Sequence, residues 1–465
     1  MGILTCVIGG VLGVAIGIGD PPAPPARETQ TVQVGEEGAR IVGFVKKCER
    51  IGFSGAVLAA RNGRVVAAVA VGSADLEGKE PNTPATLFEI ASATKQFTAA
   101  AVLRLVQDGK LKLDDPIGKA LPGVPANCAA ITIRHLLGHT SGIPGTNSNG
   151  GGTELEKVLP IFLAGGPRHE PGTHWEYWNQ GYALASELVA RGSGKAYTAY
   201  CKEALFAPAG MSATCFTGDA PPKVEGVNVA VGRSVRGEPR SALAHPYGEY
   251  GFQYRGMGGV VTNVWDLWRW DRALHNLEKG GVLGAGAQQE LFKPGLNDYA
   301  LGWFVRKDGR GKVAQSHGGG VRGFVCEIRR LPEDDGCVWV LANRDDAPVK
   351  QVAEAVQTML FGGAAPVIDA PGTLAPDRVA EIVGTYADAK GNVLMLREEG
   401  GVVRATIRWS ANAEWTTRAV VGADGEKGLV FIEQTGPTKL TVSRDNAGGL
   451  VAIELASMRF ERTKP

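Results

Sequence analysis

The 465-residue chain has little cysteine, with seven residues, and no C-x-x-C pair among them. That excludes a disulfide framework and the usual spacing of structural zinc or dithiol redox sites. Cys201 and Cys215 could pair in an oxidising compartment, and Cys326 and Cys337 flank a hairpin signal at Pro332–Gly336. Buried thiols serving as small apolar residues are the simpler account. Charge bias is also missing: 49 Lys and Arg offset 48 Asp and Glu, for a net charge of +1. Without a basic excess there is no electrostatic case for a nucleic-acid partner, and a small molecule or short peptide suits this surface better. No internal repeat or low-complexity tract is present. One apolar run stands out, the uncharged stretch Met1–Gly19, closed by Asp20-Pro21-Pro22-Ala23-Pro24-Pro25. Residues 1–24 read as a signal sequence or N-terminal anchor, although the positive n-region is absent. This predicts a secreted or periplasmic protein, with membrane association through that segment as the alternative to cleavage. Nothing in the chain speaks to oligomeric state.

The length exceeds one ordinary domain, and 44% hydrophobic residues suffice for a large core. Early on, Ala56–Ala60 and Val65–Ala70 flank the turn signal Arg61-Asn62-Gly63, predicting a hairpin after a helix. Apolar residues on most faces of Ser92–Val106 predict a buried helix ending near Gly109. Mixed helices and loops fill 110–290, and strands return around 301–305, 324–328 and 338–342. Strands early and late with helices between predict one sheet built from both ends of a domain spanning 35–360. A linker, 361–378, precedes a segment of short strands, 379–465, that reads as a small antiparallel barrel or sandwich.

Ser92 is the only serine followed three residues later by lysine, in Ser92-Ala93-Thr94-Lys95. On a helix the two side chains share a face, one turn apart. A hydroxyl becomes nucleophilic when a base takes its proton, and a desolvated lysine can be that base. Two further patterns occur once each downstream: Tyr177-Trp178-Asn179 and His317-Gly318-Gly319. Together they offer a phenol and an amide, then a histidine beside a glycine strand. Lysine needs burial to lose its charge at neutral pH, and a phenol needs a nearby cation to lose its proton, so Lys95 and Tyr177 read as one coupled pair.

This ordered triplet resembles the serine beta-lactamase-related family, which includes class C beta-lactamases, low-molecular-weight penicillin-binding proteins, D-aminopeptidases and some esterases. The flanking segments Asp114–Ile117, Ile133–Ile143, Pro171–Tyr182, Gly258-Gly259 with Thr262 and Asp266, and Tyr299–Trp303 share the likeness, over residues 40 to 345. The resemblance implies an α+β (α/β) fold, a beta-lactamase/transpeptidase-like antiparallel sheet flanked by helices with an all-helical subdomain, and a lipocalin-like barrel at the C-terminus. It implies Ser92, Lys95, Tyr177 and His317 as catalytic residues. Asn179, Trp178, Gly319 and Gly320 would contact substrate, and the backbone N–H groups of Ser92 and Gly320 would form an oxyanion hole. No metal or organic cofactor is implied.

Beta-lactamases and transpeptidases carry Lys-Thr-Gly where this chain has His317-Gly318-Gly319, and no Lys-Thr-Gly occurs anywhere. The expectation is therefore a serine hydrolase that forms an acyl-enzyme on an amide or ester, a D-amino-acid peptide or small ester, rather than on a beta-lactam. A beta-lactamase or DD-carboxypeptidase is the alternative, and a non-catalytic binding or regulatory protein a third reading. Two patterns are set aside. His135 and His139 have zinc-helix spacing, but Leu136 stands where a metalloprotease needs glutamate. Ser410-Ala411-Asn412 mimics S-x-N but follows His317, the wrong chain order.

Overall fold

The structure, a computed structural model, describes residues 28–49, 52–145, 151–234, 237–275, 281–364, 374–399, 402–408, 416–424, 428–433, 436–455 and 457–463. The N-terminal segment 1–24, residues 365–373 of the 361–378 linker and the Ser410-Ala411-Asn412 pattern lie outside these residues. Among the described residues no helix is long and apolar enough to cross a membrane.

A seven-stranded antiparallel sheet organises the first domain, in the order Val32–Gln33, Arg64–Val71, Gly55–Arg61, Gly336–Ala342, Phe324–Leu331, Val313–Val321, Phe304–Lys307. Its middle joins the early hairpin to the late strands, Leu58 pairing with Trp339 and Val57 with Val340. The predicted hairpin turns at Asn62 and Gly63, both at positive φ, which suits asparagine and glycine and matches the twist of the flanking strands. Strand side chains alternate between two cores. Val57, Ala59, Val338 and Val340 face helices Gly35–Cys48 and Val349–Leu360. Ala56, Leu58, Ala60, Trp339 and Leu341 face the helical half, which contains Lys95–Gln107, Asn179–Ser193 and Val264–His275. A sheet sandwiched in this way buries both faces, so its central strands read as nearly continuous apolar runs.

The C-terminal strands form a closed antiparallel ring from Gly384–Ala387 round to Met458–Arg462, whose ends pair through Tyr386 and Arg462. Tyr386, Leu394, Ile407, Ile453 and Phe460 are buried together at its centre, so side chains occupy the interior. The helix Pro376–Ile382 precedes the ring and takes up the end of the expected linker, with proline in its first turn, where no backbone N–H is needed. The six described cysteines are buried and unpaired. The Cys201–Cys215 and Cys326–Cys337 pairings are thus not formed, and burial pushes the Cys201 and Cys215 thiols up to about 12.

Candidate active site

Ser92 lies in a 3-10 turn, Ala91–Thr94, that runs straight into the helix Lys95–Gln107. The spacing therefore works as predicted, with a tighter first turn. Three anchors fix the approach: Ile90 N–H donates to the Val260 carbonyl at 3.0 Å, Val260 N–H donates to Thr94 Oγ1 at 3.1 Å, and Glu89 pairs with Val261 in a small sheet. Ala91 holds a φ of 45°, a left-handed conformation a non-glycine residue adopts only when its surroundings impose it. Beneath the turn the buried Glu89 carboxylate accepts from Arg240 and from the Tyr254 hydroxyl. That ion pair ties Arg240 to Glu89, three residues before Ser92, across 151 positions of sequence.

Lys95 is completely buried. Its Nζ lies 3.1 Å from Ser92 Oγ, 2.8 Å from Asn179 Oδ1 and 3.2 Å from the Met257 carbonyl. Among the described residues no carboxylate accepts from it, so desolvation has no opposing anion and drives its pKa well below the ordinary value. A neutral amine has two hydrogens and one lone pair. Asn179 Oδ1 and the Met257 carbonyl are pure acceptors and claim the hydrogens, which leaves the lone pair facing the Ser92 hydroxyl. The geometry makes Lys95 a base aimed at one proton.

Tyr177 sits beside this pair, its ring centroid 4.9 Å from Lys95 Nζ and its hydroxyl near enough to the Ser92 side chain to be influenced by it. Burial raises its pKa to about 12, with the Ser92 side chain acting the other way. Burial thus favours the uncharged form of both, Lys95 as amine and Tyr177 as phenol. Of the pair, Lys95 is the side chain placed to accept a proton from Ser92, and Tyr177 the one placed to hold a proton.

His317 is placed differently from expectation. Its Nδ1 lies 2.6 Å from the Gly318 carbonyl and its Nε2 3.1 Å from the Tyr299 hydroxyl. The carbonyl can only accept, so the assigned proton is on Nδ1 and Nε2 accepts from Tyr299. Both nitrogens are thus occupied away from Ser92. The ring packs against Phe304 and Tyr299, each at a centroid distance of 5.8 Å. Burial, and then the proximity of Lys95, pushes its pKa down to about 3, so it is a neutral wall residue in the folded protein.

Trp178 and Gly319 also sit differently from expectation. Trp178 is fully buried in the core beneath the site and does not line it; alternation along the chain turns it inward while Tyr177 faces Ser92. Gly319 is needed by the protein's own backbone, since a Cβ there would stand 2.1 Å from the Ile90 carbonyl. Gly320 is exposed, and a Cβ on it would meet nothing within 4 Å, so the open lip of the strand lies there. Ser92 N–H, in the first turn of its helix, belongs to the donors that lack an intrahelical acceptor. Sequence reasoning missed Met257, whose contribution is a carbonyl, and Tyr299, which lies in a recognised segment but was given no role.

One consequence is measurable. Gly319→Ala forces the strand away from the nucleophile turn and is expected to lower kcat about 10²-fold, the effect of misplacing a reacting group by roughly an ångström. Gly320→Ala is expected to fold and melt like the parent. A Gly319→Ala protein with parental kcat would show that the contact with Ile90 is slack.

A family model described as Beta-lactamase matches residues 40–360, and the chain belongs to this family of serine hydrolases. Penicillin-binding protein 4* of Bacillus subtilis (strain 168) is 26% identical over 428 residues, which are 83% of this chain and 94% of that protein. The octameric penicillin-binding protein homologue from Pyrococcus abyssi superposes with a TM-score of 0.60 at 22% identity, covering 91% of this chain and 99% of the other. D-amino acid amidase from Ochrobactrum anthropi SV3, complexed with D-phenylalanine, superposes with a TM-score of 0.57 at 25% identity, over 70% of this chain and 98% of its own.

Proposed function

We propose that the protein hydrolyses an amide or ester of a small acyl donor, with D-aminoacyl amides and short D-peptides as the leading class, through an acyl-enzyme on Ser92. The observation that carries this reading is the Ser92 Oγ–Lys95 Nζ contact at 3.1 Å, with the lysine buried and its two hydrogens directed elsewhere. In acylation Lys95 takes the Ser92 proton as Oγ attacks the carbonyl carbon. The oxyanion gains the N–H groups of Ser92 and Gly320, worth about 3 kcal/mol per well-placed donor. Tyr177 hands a proton to the departing amine or alcohol and is reprotonated from Lys95. Deacylation repeats the cycle with water as nucleophile. No step calls for a cofactor.

Choice of substrate follows from charge. A lysine in the position of His317 would hold a substrate carboxylate, whereas a buried neutral imidazole offers no fixed cation. That favours uncharged amides and esters over beta-lactams and carboxyl-terminal D-alanyl peptides. The amidase neighbour complexed with D-phenylalanine supports the D-aminoacyl class. The test compares kcat/KM on a D-aminoacyl amide, its L-enantiomer, a p-nitrophenyl ester, a D-alanyl-D-alanine peptide and nitrocefin. Preference for the D-amide or the ester by about tenfold or more is expected, and faster turnover of nitrocefin would overturn the substrate assignment. We also propose export by the N-terminal segment and a lipocalin-like ancestry for the C-terminal ring. Export is checked by fractionation of the full chain.

A further inference from the structure

We propose that His139, the residue set aside with the zinc-like spacing, is a positioning residue that holds Tyr177 in line with Ser92. The inference rests on the catalytic reading above and adds a residue to it. Among the described residues no His, Cys, Asp and Glu cluster could hold a metal ion, so the spacing has another use.

Tyr177 stands in a stretch with neither helix nor strand, immediately before the helix Asn179–Ser193. A side chain on irregular backbone has no ladder to fix it, so its placement depends on individual contacts. His139 supplies three of them. Its carbonyl accepts from Glu176 N–H at 2.9 Å, and its Nδ1 accepts from Trp178 N–H at 3.1 Å. Between those two bonds its ring lies against Tyr177 with centroids 4.3 Å apart. The residues on either side of the phenol are thus tied to one histidine, and the phenol rests on that histidine's face.

The arrangement has features that packing alone does not require. His139 adopts a φ of 58°, a left-handed conformation that a non-glycine residue holds against its preference. Its Nε2 is buried without a hydrogen-bond partner. Because Nδ1 accepts from a backbone N–H, the proton is on Nε2 and the ring must stay neutral. A second proton would set a donor against the Trp178 donor and a cation among Lys95, His317, Tyr177, Tyr182 and Tyr299. Burial, with Lys95 and His317 nearby, keeps it neutral by pulling its pKa well below the usual value. An acceptor at this place, on backbone of this hand, is the property the site uses.

The experiment compares His139→Gly with His139→Asn in the full chain. Glycine suits the φ and removes ring and acceptor; asparagine also tolerates the φ and keeps a short acceptor. The readouts are the fluorophosphonate labelling rate at Ser92, kcat and KM on the best substrate, and the melting temperature. We expect His139→Gly to lose about 10²-fold in kcat and in labelling rate with KM changed less than about threefold, and His139→Asn to recover at least about tenfold. Parental kcat in the glycine variant, or asparagine no better than glycine with both folded, overturns the assignment. If glycine fails to fold, asparagine decides alone: kcat within about tenfold of the parent supports the clamp, and a larger loss in a folded protein overturns it. A parent protein that takes no label at Ser92 refutes the catalytic reading itself, an outcome distinct from any difference between the variants.

Discussion

Lys95→Met is expected to lower kcat by about 10³-fold or more while leaving the fold intact, with the change in stability growing as pH falls. The catalytic part follows from the proposed mechanism, in which Lys95, bonded to Ser92 Oγ, is the base, and a thioether takes no proton. The stability part follows from linkage. Folding holds Lys95 neutral by burial, whereas the unfolded chain carries it charged up to its ordinary pKa. Below that ordinary value the unfolded state binds more protons than the folded one, so this residue makes stability rise with pH until both states are neutral. Methionine removes the dependence. The variant should therefore gain on the parent as pH is lowered from about 10 toward 6, by up to about 1.4 kcal/mol per unit wherever the folded amine stays neutral. Losing the bonds to Asn179 and Met257 subtracts a constant from this gain. Melting curves of both proteins across pH, beside kcat, check the prediction. Parallel stability–pH curves would mean that Lys95 is charged in the folded state.

Tyr177→Phe should reduce kcat about 10²-fold with little change in melting temperature. The ring keeps its place against His139 and above Lys95, so packing survives. Only the hydroxyl that meets Ser92 is lost. Since that phenol is protonated at rest, its removal takes away a donor for the leaving group rather than the resting base. Esters with a good leaving group, which need no protonation, are expected to suffer about tenfold less than amides. Equal losses on p-nitrophenyl esters and amides would return Tyr177 to the role of base.

Much of this was legible in the sequence because the features involved are local. Ser92 and Lys95 lie one helical turn apart, Asn62-Gly63 marks its own turn, and the sheet strands announce themselves by apolar runs that both cores require. Contacts made across the chain left weaker signals. The Met257 carbonyl reaches Lys95 over 162 residues, and a backbone acceptor has no side-chain type to search for. His317 was read from its neighbours in sequence, whereas its state depends on Tyr299, 18 residues away, and on burial. His139 shows the same gap: its zinc-like spacing was set aside for want of a glutamate, while its contacts are made by residues 176–178, distant in sequence. In the C-terminal ring, the runs Val393–Leu396 and Val402–Ile407 mark two strands in the sequence itself. Gly384–Ala387 and Met458–Arg462, short and partly polar, are defined by pairing with their neighbours in sequence and with each other.

The central claim is that Ser92 is a nucleophile activated by a neutral Lys95, and covalent labelling tests it most directly. Full-length protein treated with a fluorophosphonate near neutral pH, then digested and analysed by mass spectrometry, should carry one adduct on the peptide containing Ser92. Ser92→Ala should take none, and Lys95→Met should take it at least about 10²-fold more slowly. An adduct that persists in Ser92→Ala, or labelling in Lys95→Met at the parental rate, would contradict the account.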